Sequence, residues 1–147
     1  MTIQRLENVG IVVDDLAAVT EFFVGLGLKR LGGDLIEADW VDRIVGLDGV
    51  RVEIAMLETL DGHGRLELMR FHHPETLGDD RNAPPNTHGI RRLAFVVDDV
   101  DTAVAGLRER GIELVGELVV YEDVFKMCYV RGPEGIIVML AEELRRE

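Results

Sequence analysis

The chain has 147 residues, of which 47% are hydrophobic and 30% are charged, and its formal net charge at pH 7 is −12. This balance is typical of a soluble globular protein and excludes a disordered chain, and no apolar run approaches the roughly 20 residues that span a bilayer. Because an acidic surface repels phosphate backbones, the net charge also argues against nucleic acid as a partner.

The first module is predicted from residue 6 onward. A strand-like run at 6–13 ends at an aspartate suited to cap a helix. The amphipathic segment DLAAVTEFFVGLG follows and closes on Gly27, a suitable C-terminal helix cap. Three further strands are predicted at 28–33, 50–58 and 64–71.

A second module repeats the first. The segment HHPETLGDDRNAPPNTHG, residues 72–89, is rich in Pro, Gly, Asn and Asp and predicts a linker loop. Beyond it, IRRLAFVVDDV repeats the pattern of LENVGIVVDDL near the N-terminus. A strand at 90–97 and a helix in DVDTAVAGLRERG are therefore predicted, followed by strands at 112–121, 125–131 and 136–141.

The repeat predicts the architecture. We expect an α+β fold in which two tandem βαβββ modules, residues 1–75 and 88–147, form a curved, cupped mixed sheet with the helices outside. One such module has an exposed sheet face and buries too little apolar surface alone. The expectation is therefore a single domain over residues 1–147, with a concave cavity lined by both modules.

The cysteine content and the N-terminal residues bear on cellular location. Cys128 is the only cysteine, so no disulfide can form within the chain, and no neighbouring histidine marks it as a nucleophile. The opening residues, MTIQRLENVG, lack a basic region followed by an apolar stretch, so we expect no secretory signal. The expectation is a protein of the reducing cytoplasm with a buried, unreactive thiol.

The doubled pattern resembles a known family. With LENVGIVVDDLAAVTEFFVGLGL at the front and RGPEGIIVMLAEE at the back, nearly the whole chain resembles the vicinal oxygen chelate superfamily. That group includes glyoxalase I, methylmalonyl-CoA epimerase, extradiol dioxygenases, thiol transferases for fosfomycin and bleomycin-binding resistance proteins. The resemblance is specific for the fold and much less so for the function, because these chemistries differ. It also implies a homodimer.

The resemblance implies a metal site whose residues this chain has changed. Metal-dependent members hold a divalent ion with a His or similar residue on the first strand of each module and a Glu on the last. The matching positions here are Asn8, Glu67, Arg92 and Met139. Only Glu67 keeps the pattern, since Arg92 carries a fixed positive charge and the Met139 thioether is a poor ligand for hard ions.

We therefore expect no metal and no other cofactor. A Glu67–Arg92 ion pair, with Asn8 hydrogen-bonded to it, is predicted where the ion would lie, because a carboxylate facing the cavity needs a partner. The pair is either structural or a contact for a ligand.

Methionine and aromatic residues predict the lining of the cavity. Methionine packs adaptably and contacts aromatic ligands well, although ordinary core filling accounts for each residue alone. Trp40 is the strongest single candidate because it lies in a polar stretch, EADWVDR, where the pattern does not require burial. The predicted ligand-binding residues are Asn8, Trp40, Met56, Glu67, Met69, Arg92, Met127, Tyr129 and Met139.

These features predict a metal-independent protein that binds a small organic molecule. By resemblance to bleomycin-resistance proteins, the ligand is expected to be an antibiotic or other natural product that is sequestered, and an aromatic or polycyclic molecule suits the lining. The alternative is a lyase, isomerase or epimerase of the glyoxalase or methylmalonyl-CoA epimerase kind, with Glu67 as the catalytic base. A third alternative is a protein partner, which a large exposed apolar face in place of a cavity would favour.

Overall fold

The computed structural model describes residues 1–78 and 80–144. The chain divides into two compact units, and the boundary after Asp79 falls within the predicted linker. Each unit holds one four-stranded mixed sheet and repeats the same strand order, so the α+β class and the two repeated modules are confirmed. The single-domain arrangement over residues 1–147 stays a prediction. No helix in the described ranges is long and apolar enough to cross a bilayer.

The first module contains four strands and two helices. In its sheet the order is β1-β4-β3-β2, with β1 parallel to β4 and the other pairs antiparallel. The elements are β1 (Val9–Val12), α1 (Leu16–Gly25), β2 (Lys29–Ile36), α2 (Asp39–Val45), β3 (Arg51–Glu58) and β4 (Arg65–His73).

Helix α1 begins where the sequence predicted. The Asp15 side chain accepts a hydrogen bond from the Ala18 backbone N–H at 3.0 Å, which satisfies one of the donors left free in the first turn. Val19, Phe22 and Phe23 are buried. The helix therefore contributes its apolar face to the core of the first module.

Helix α2 was not predicted and has no counterpart among the described residues of the second module, 80–144. It begins after Ala38, whose side chain provides no cap, and ends at Gly46 in the left-handed conformation. Its Val41 is 5% exposed and belongs to a core cluster with Val50 and Val52. Non-local burial therefore stabilises this short helix, which local sequence pattern does not reveal.

Strand β4 also corrects a predicted boundary. It continues to His73, so the linker begins after His73 rather than at His72. The His72 Nε2 atom lies 3.1 Å from the Oε1 atom of Glu53 on the neighbouring strand. His72 is thus part of the sheet and not of a loop.

The second module repeats the strand order with one helix. Its sheet has the order β5-β8-β7-β6, with β5 parallel to β8 and the other pairs antiparallel. Strand β6 is shorter than the predicted 112–121, and of the preceding residues Leu114 forms only an isolated bridge with Val130. The elements are β5 (Arg92–Val97), α3 (Val100–Glu109), β6 (Val119–Tyr121), β7 (Phe125–Arg131), a 3-10 turn (Pro133–Gly135) and β8 (Ile137–Glu143).

The two faces of the second sheet differ in what they contact. On one face, Lys126 of β7 forms an ion pair with Asp101 of α3, and Glu142 of β8 accepts a 2.9 Å hydrogen bond from the Val100 backbone N–H. Cys128 and Leu140 are buried on this same side. Because alternate residues of a strand face opposite ways, the intervening side chains of β7 and β8 lie on the face turned away from α3.

Candidate ligand-binding site

A cavity of about 510 Å³ lies in the second module. Its volume falls within the range that small-molecule sites occupy. Most of the lining side chains are apolar, and only Arg92 and Glu117 carry charge. The lining residues are Pro85, Arg92, Val115, Gly116, Glu117, Val119, Met127, Cys128, Tyr129 and Met139.

Strand register brings the central lining residues together. Tyr129 of β7 stands opposite Met139 of β8, and Met139 also pairs with Ala94 of β5. Arg92 pairs with Ile137, two residues before Met139 on the same strand. Arg92 and Tyr129 therefore flank β8 from its two sides, on the face turned away from α3.

Arg92 and Tyr129 make direct contact across β8. The Arg92 Nε–H donates a 2.6 Å hydrogen bond to the Tyr129 hydroxyl oxygen. The guanidinium carbon also lies 5.6 Å from the centre of the Tyr129 ring, within the range of a cation–π contact. Two interactions thus orient the guanidinium at the cavity.

One wall of the cavity is formed by the linker, and hydrogen bonds from Arg131 hold it in place. The Arg131 guanidinium donates to the backbone carbonyls of Arg81 at 3.2 Å, Ala83 at 2.9 Å and Gly135 at 3.1 Å. Ala83 is buried, and Pro85, two residues further along, lines the cavity. The segment 81–85 is therefore a structured part of the second module.

Close approach of the backbone supports the same wall. Gly135 has a φ of +80°, and a Cβ atom at this position would stand 2.0 Å from the carbonyl oxygen of Arg81. Only glycine fits without displacing the linker segment.

Four of the nine predicted ligand-binding residues line this cavity. They are Arg92, Met127, Tyr129 and Met139. Sequence reasoning missed Pro85, Val115, Gly116, Glu117, Val119 and Cys128, the last of which was expected only as a buried thiol. Alternation along the predicted strand 112–121 was the available signal for Val115, Glu117 and Val119, whereas no local pattern marked Pro85.

The other five predicted residues belong to the first module. Met56 pairs with Glu67 across β3 and β4, and both side chains are half-buried on one face of the sheet. Met69 lies on that face too and packs against the Val41 core cluster. Asn8 directly precedes β1, and Trp40 lies on α2 with 55% of its surface exposed. Their role in ligand binding stays a prediction, as does the Glu67–Arg92 pair that would join the modules.

The second-module positions do not fit a divalent metal ion. Arg92 offers a guanidinium, which has no lone pair to donate, and Met139 offers a thioether that hard ions bind poorly. Cys128 lies on the α3 side of β7, away from Arg92 and Met139, and burial raises the pKa of its thiol, with a smaller opposing effect from Arg108. Across residues 1–78 and 80–144, no group of three or more His, Cys, Asp or Glu side chains is arranged to hold an ion.

Comparisons with known proteins place the chain among others of similar sequence and fold. The family model for the glyoxalase/bleomycin resistance protein/dioxygenase superfamily matches residues 7–129. The crystal structure of a glyoxalase family protein from Bacillus cereus is 46% identical with a TM-score of 0.95, covering 99% of this chain and 97% of that one. The uncharacterized protein YwkD of Bacillus subtilis (strain 168) is 27% identical over 113 residues, 77% of each chain.

A more distant structure shares the fold alone. It is a mutant of the genomically encoded fosfomycin resistance protein FosX from Listeria monocytogenes, complexed with Mn(II) and 1S,2S-dihydroxypropylphosphonic acid. Its TM-score is 0.63 at 14% identity, covering 95% of this chain and 90% of that one.

Proposed function

The chain belongs to the glyoxalase/bleomycin resistance protein/dioxygenase superfamily, as the resemblance implied, and we propose that within it the protein binds a small organic molecule without a metal. The cavity of about 510 Å³ in the second module is the proposed binding site. Its apolar side chains supply contact area, while Arg92 and Tyr129 supply orientation.

The contact between Arg92 and Tyr129 carries the proposal. Arg92 occupies the position where the resemblance places a metal ligand on the first strand of the second module. Its guanidinium is held by a 2.6 Å hydrogen bond from Nε to the Tyr129 hydroxyl oxygen. A fixed cation at this point repels a divalent ion and attracts polar groups of a ligand.

The lining favours an aromatic or polycyclic ligand. Met127 and Met139 are flexible, polarisable side chains that adapt to flat ring systems, and the Tyr129 ring adds a flat surface beside them. An antibiotic or other natural product that is sequestered rather than transformed is the proposed ligand. The homodimer implied by the resemblance is part of the same proposal.

An enzymatic role is the second candidate. Glu67 is half-buried on β4 beside Met56, in the position that the resemblance assigns to a metal ligand of the first module. As a lyase, isomerase or epimerase, the protein would use this carboxylate as a general base. Turnover that is lost in Glu67→Gln, in protein shown to be free of metal, would favour this candidate.

A thermal-shift screen tests the binding proposal. The purified protein would be screened against antibiotics and natural products in the presence of EDTA, and hits would be measured by isothermal titration calorimetry. Because Met127→Asp places a carboxylate in the apolar lining, we expect it to weaken every genuine hit about tenfold or more. Leu60→Asp, on an exposed turn of the first module, is the matched control and should bind as the wild type does. Ligands that stabilise the protein only when a divalent metal is added would contradict the proposal.

A further inference from the structure

The Arg92–Tyr129 contact leaves a set of hydrogen-bond donors at the cavity. The Tyr129 hydroxyl oxygen accepts from Arg92 Nε, so the hydroxyl proton is free to be donated elsewhere. The Nη1 and Nη2 groups of Arg92 add further N–H donors. No carboxylate in the described part of the second module forms an ion pair with Arg92. Within the described part of the second module, the cavity therefore presents a positive charge and several donors, and no carboxylate there is paired with Arg92.

We propose that the ligand is an organic oxyanion, a carboxylate or sulfonate on an apolar body, whose charged oxygens bind Arg92 and Tyr129. This inference rests on the proposed binding function of the same cavity. A guanidinium and a carboxylate or sulfonate match in geometry, since two parallel N–H donors meet two oxygens. The body of the ligand then lies against Met127 and Met139, which stand on the same face of the sheet.

The structure prepares Arg92 for this role. A lone arginine side chain loses rotamer freedom when it binds an anion, and that loss weakens binding. Here the 2.6 Å hydrogen bond and the ring contact of Tyr129 already restrict the guanidinium. The restricted guanidinium then supplies the positive charge that binds the oxygens of the ligand.

Glu117 provides an internal control. It lines the same cavity, is exposed, and forms no ion pair with Arg92. Its carboxylate repels an anion, so Glu117→Gln is expected to keep or increase the affinity for an oxyanion. Removal of the charge should thus lower the affinity for an oxyanion at Arg92 but not at Glu117.

A pair of fluorescent probes tests the inference. The anionic probe is 8-anilino-1-naphthalenesulfonate, and its neutral partner is N-phenyl-1-naphthylamine, which has the same ring system without the sulfonate. Both would be titrated into the wild type and into Arg92→Met, Arg92→Lys, Tyr129→Phe and Glu117→Gln. Far-UV circular dichroism and thermal melting verify that each variant is folded.

We expect Arg92→Met to lower the affinity for the anionic probe about tenfold or more and to leave the affinity for the neutral probe within about twofold. Arg92→Lys should retain part of the preference because it keeps the charge and loses the Nε donor. Added salt should lower the affinity for the anionic probe and leave the affinity for the neutral probe unchanged.

Two results would overturn the inference in different ways. If Arg92→Met changes the affinities for both probes equally, or changes neither affinity, the proposed oxyanion site is contradicted. The proposal of an apolar binding cavity is then unaffected. If neither probe binds the folded wild type, the proposed binding function itself is contradicted.

Discussion

The Arg92 Nε atom and the Tyr129 hydroxyl oxygen stand 2.6 Å apart across strand β8, at the cavity of the second module. The two residues come from β5 and β7, which are not neighbours in the sheet. Their contact requires that both side chains lie on the face turned away from helix α3. A substitution of either residue should therefore alter the side-chain position of the other.

Tyr129→Phe tests the strength of this contact. Removing the hydroxyl leaves the ring in place and deletes the hydrogen bond to a charged donor, so the free energy of unfolding should fall by about 1 kcal/mol. Chemical denaturation monitored by circular dichroism measures the change. Tyr121→Phe, at an exposed tyrosine of β6, is the matched control and should stay within about 0.5 kcal/mol of the wild type. Equal effects of the two substitutions would show that the Arg92 contact does not stabilise the fold.

Arg131 should control the order of the linker wall. Arg131→Met removes three hydrogen bonds to backbone carbonyls, including those of Arg81 and Ala83, and we expect the free energy of unfolding to fall by roughly 2 kcal/mol. Hydrogen–deuterium exchange of the backbone amides of residues 81–83 should become faster. Arg70→Met, at an exposed arginine of β4, is the control. Unchanged exchange at residues 81–83 would contradict the assigned role of Arg131.

Gly135→Ala probes the close approach of the backbone beside that wall. The added methyl group would stand 2.0 Å from the Arg81 carbonyl oxygen, and the φ of +80° disfavours any residue with a Cβ atom. We expect a loss of about 1–3 kcal/mol in the free energy of unfolding. Gly106→Ala is the control: nothing lies within 4 Å of its Cβ position on helix α3, so it should stabilise by about 0.5–1 kcal/mol. If Gly135→Ala leaves the free energy of unfolding unchanged, the linker segment can move aside without loss of stability.

Ionisation of Asp99, at the start of α3, should make the free energy of unfolding depend on pH in the acidic range. Hydrogen bonds from the Thr102 backbone N–H and from its hydroxyl lower the pKa of Asp99 from its ordinary value. A carboxyl whose pKa is lower in the folded state stabilises the fold above the unfolded pKa, and this contribution is lost as the pH falls through the folded pKa. Asp99→Asn keeps a capping oxygen but cannot titrate, so the wild type should be the more stable of the two at neutral pH and should lose this advantage as the pH falls through the lowered pKa of Asp99.

Denaturant titrations from about pH 6 down to about pH 3 would follow this difference. Asp98→Asn leaves both Thr102 contacts in place and is the control. A difference between wild type and Asp99→Asn that stays constant over the whole pH range would contradict the assignment.

The sequence predicted the repeated modules because strand and helix periodicity is a local property. Helix α1 and its cap at Asp15 follow directly from a short-range pattern, and so does the placement of Met127 and Tyr129 on one face of β7. These are the parts of the fold in which each residue contacts others at a fixed spacing along the chain.

Helix α2 was not predicted because its stabilising contacts lie outside the helix, in the segment that follows it. The Asp42 carboxylate accepts hydrogen bonds from the backbone N–H groups of Gly49 and Val50, at 3.0 and 2.8 Å, and Val41 is buried in a core cluster formed with β3. The cavity wall formed by residues 81–85 was not predicted either, because Arg131, which donates a hydrogen bond to the Ala83 carbonyl, lies on a strand far along the chain. No local propensity reports such contacts.

Metal content is the measurement that tests the central claim most directly. Purified, untagged protein would be incubated with excess Mn(II), Ni(II), Zn(II) or Fe(II), desalted, and assayed by inductively coupled plasma mass spectrometry. Because Arg92 and Met139 replace two of the expected ligands, we expect each metal to remain well below one ion per chain. Stoichiometric retention of any of these metals would contradict the account and would favour a metal-dependent lyase, epimerase or dioxygenase instead.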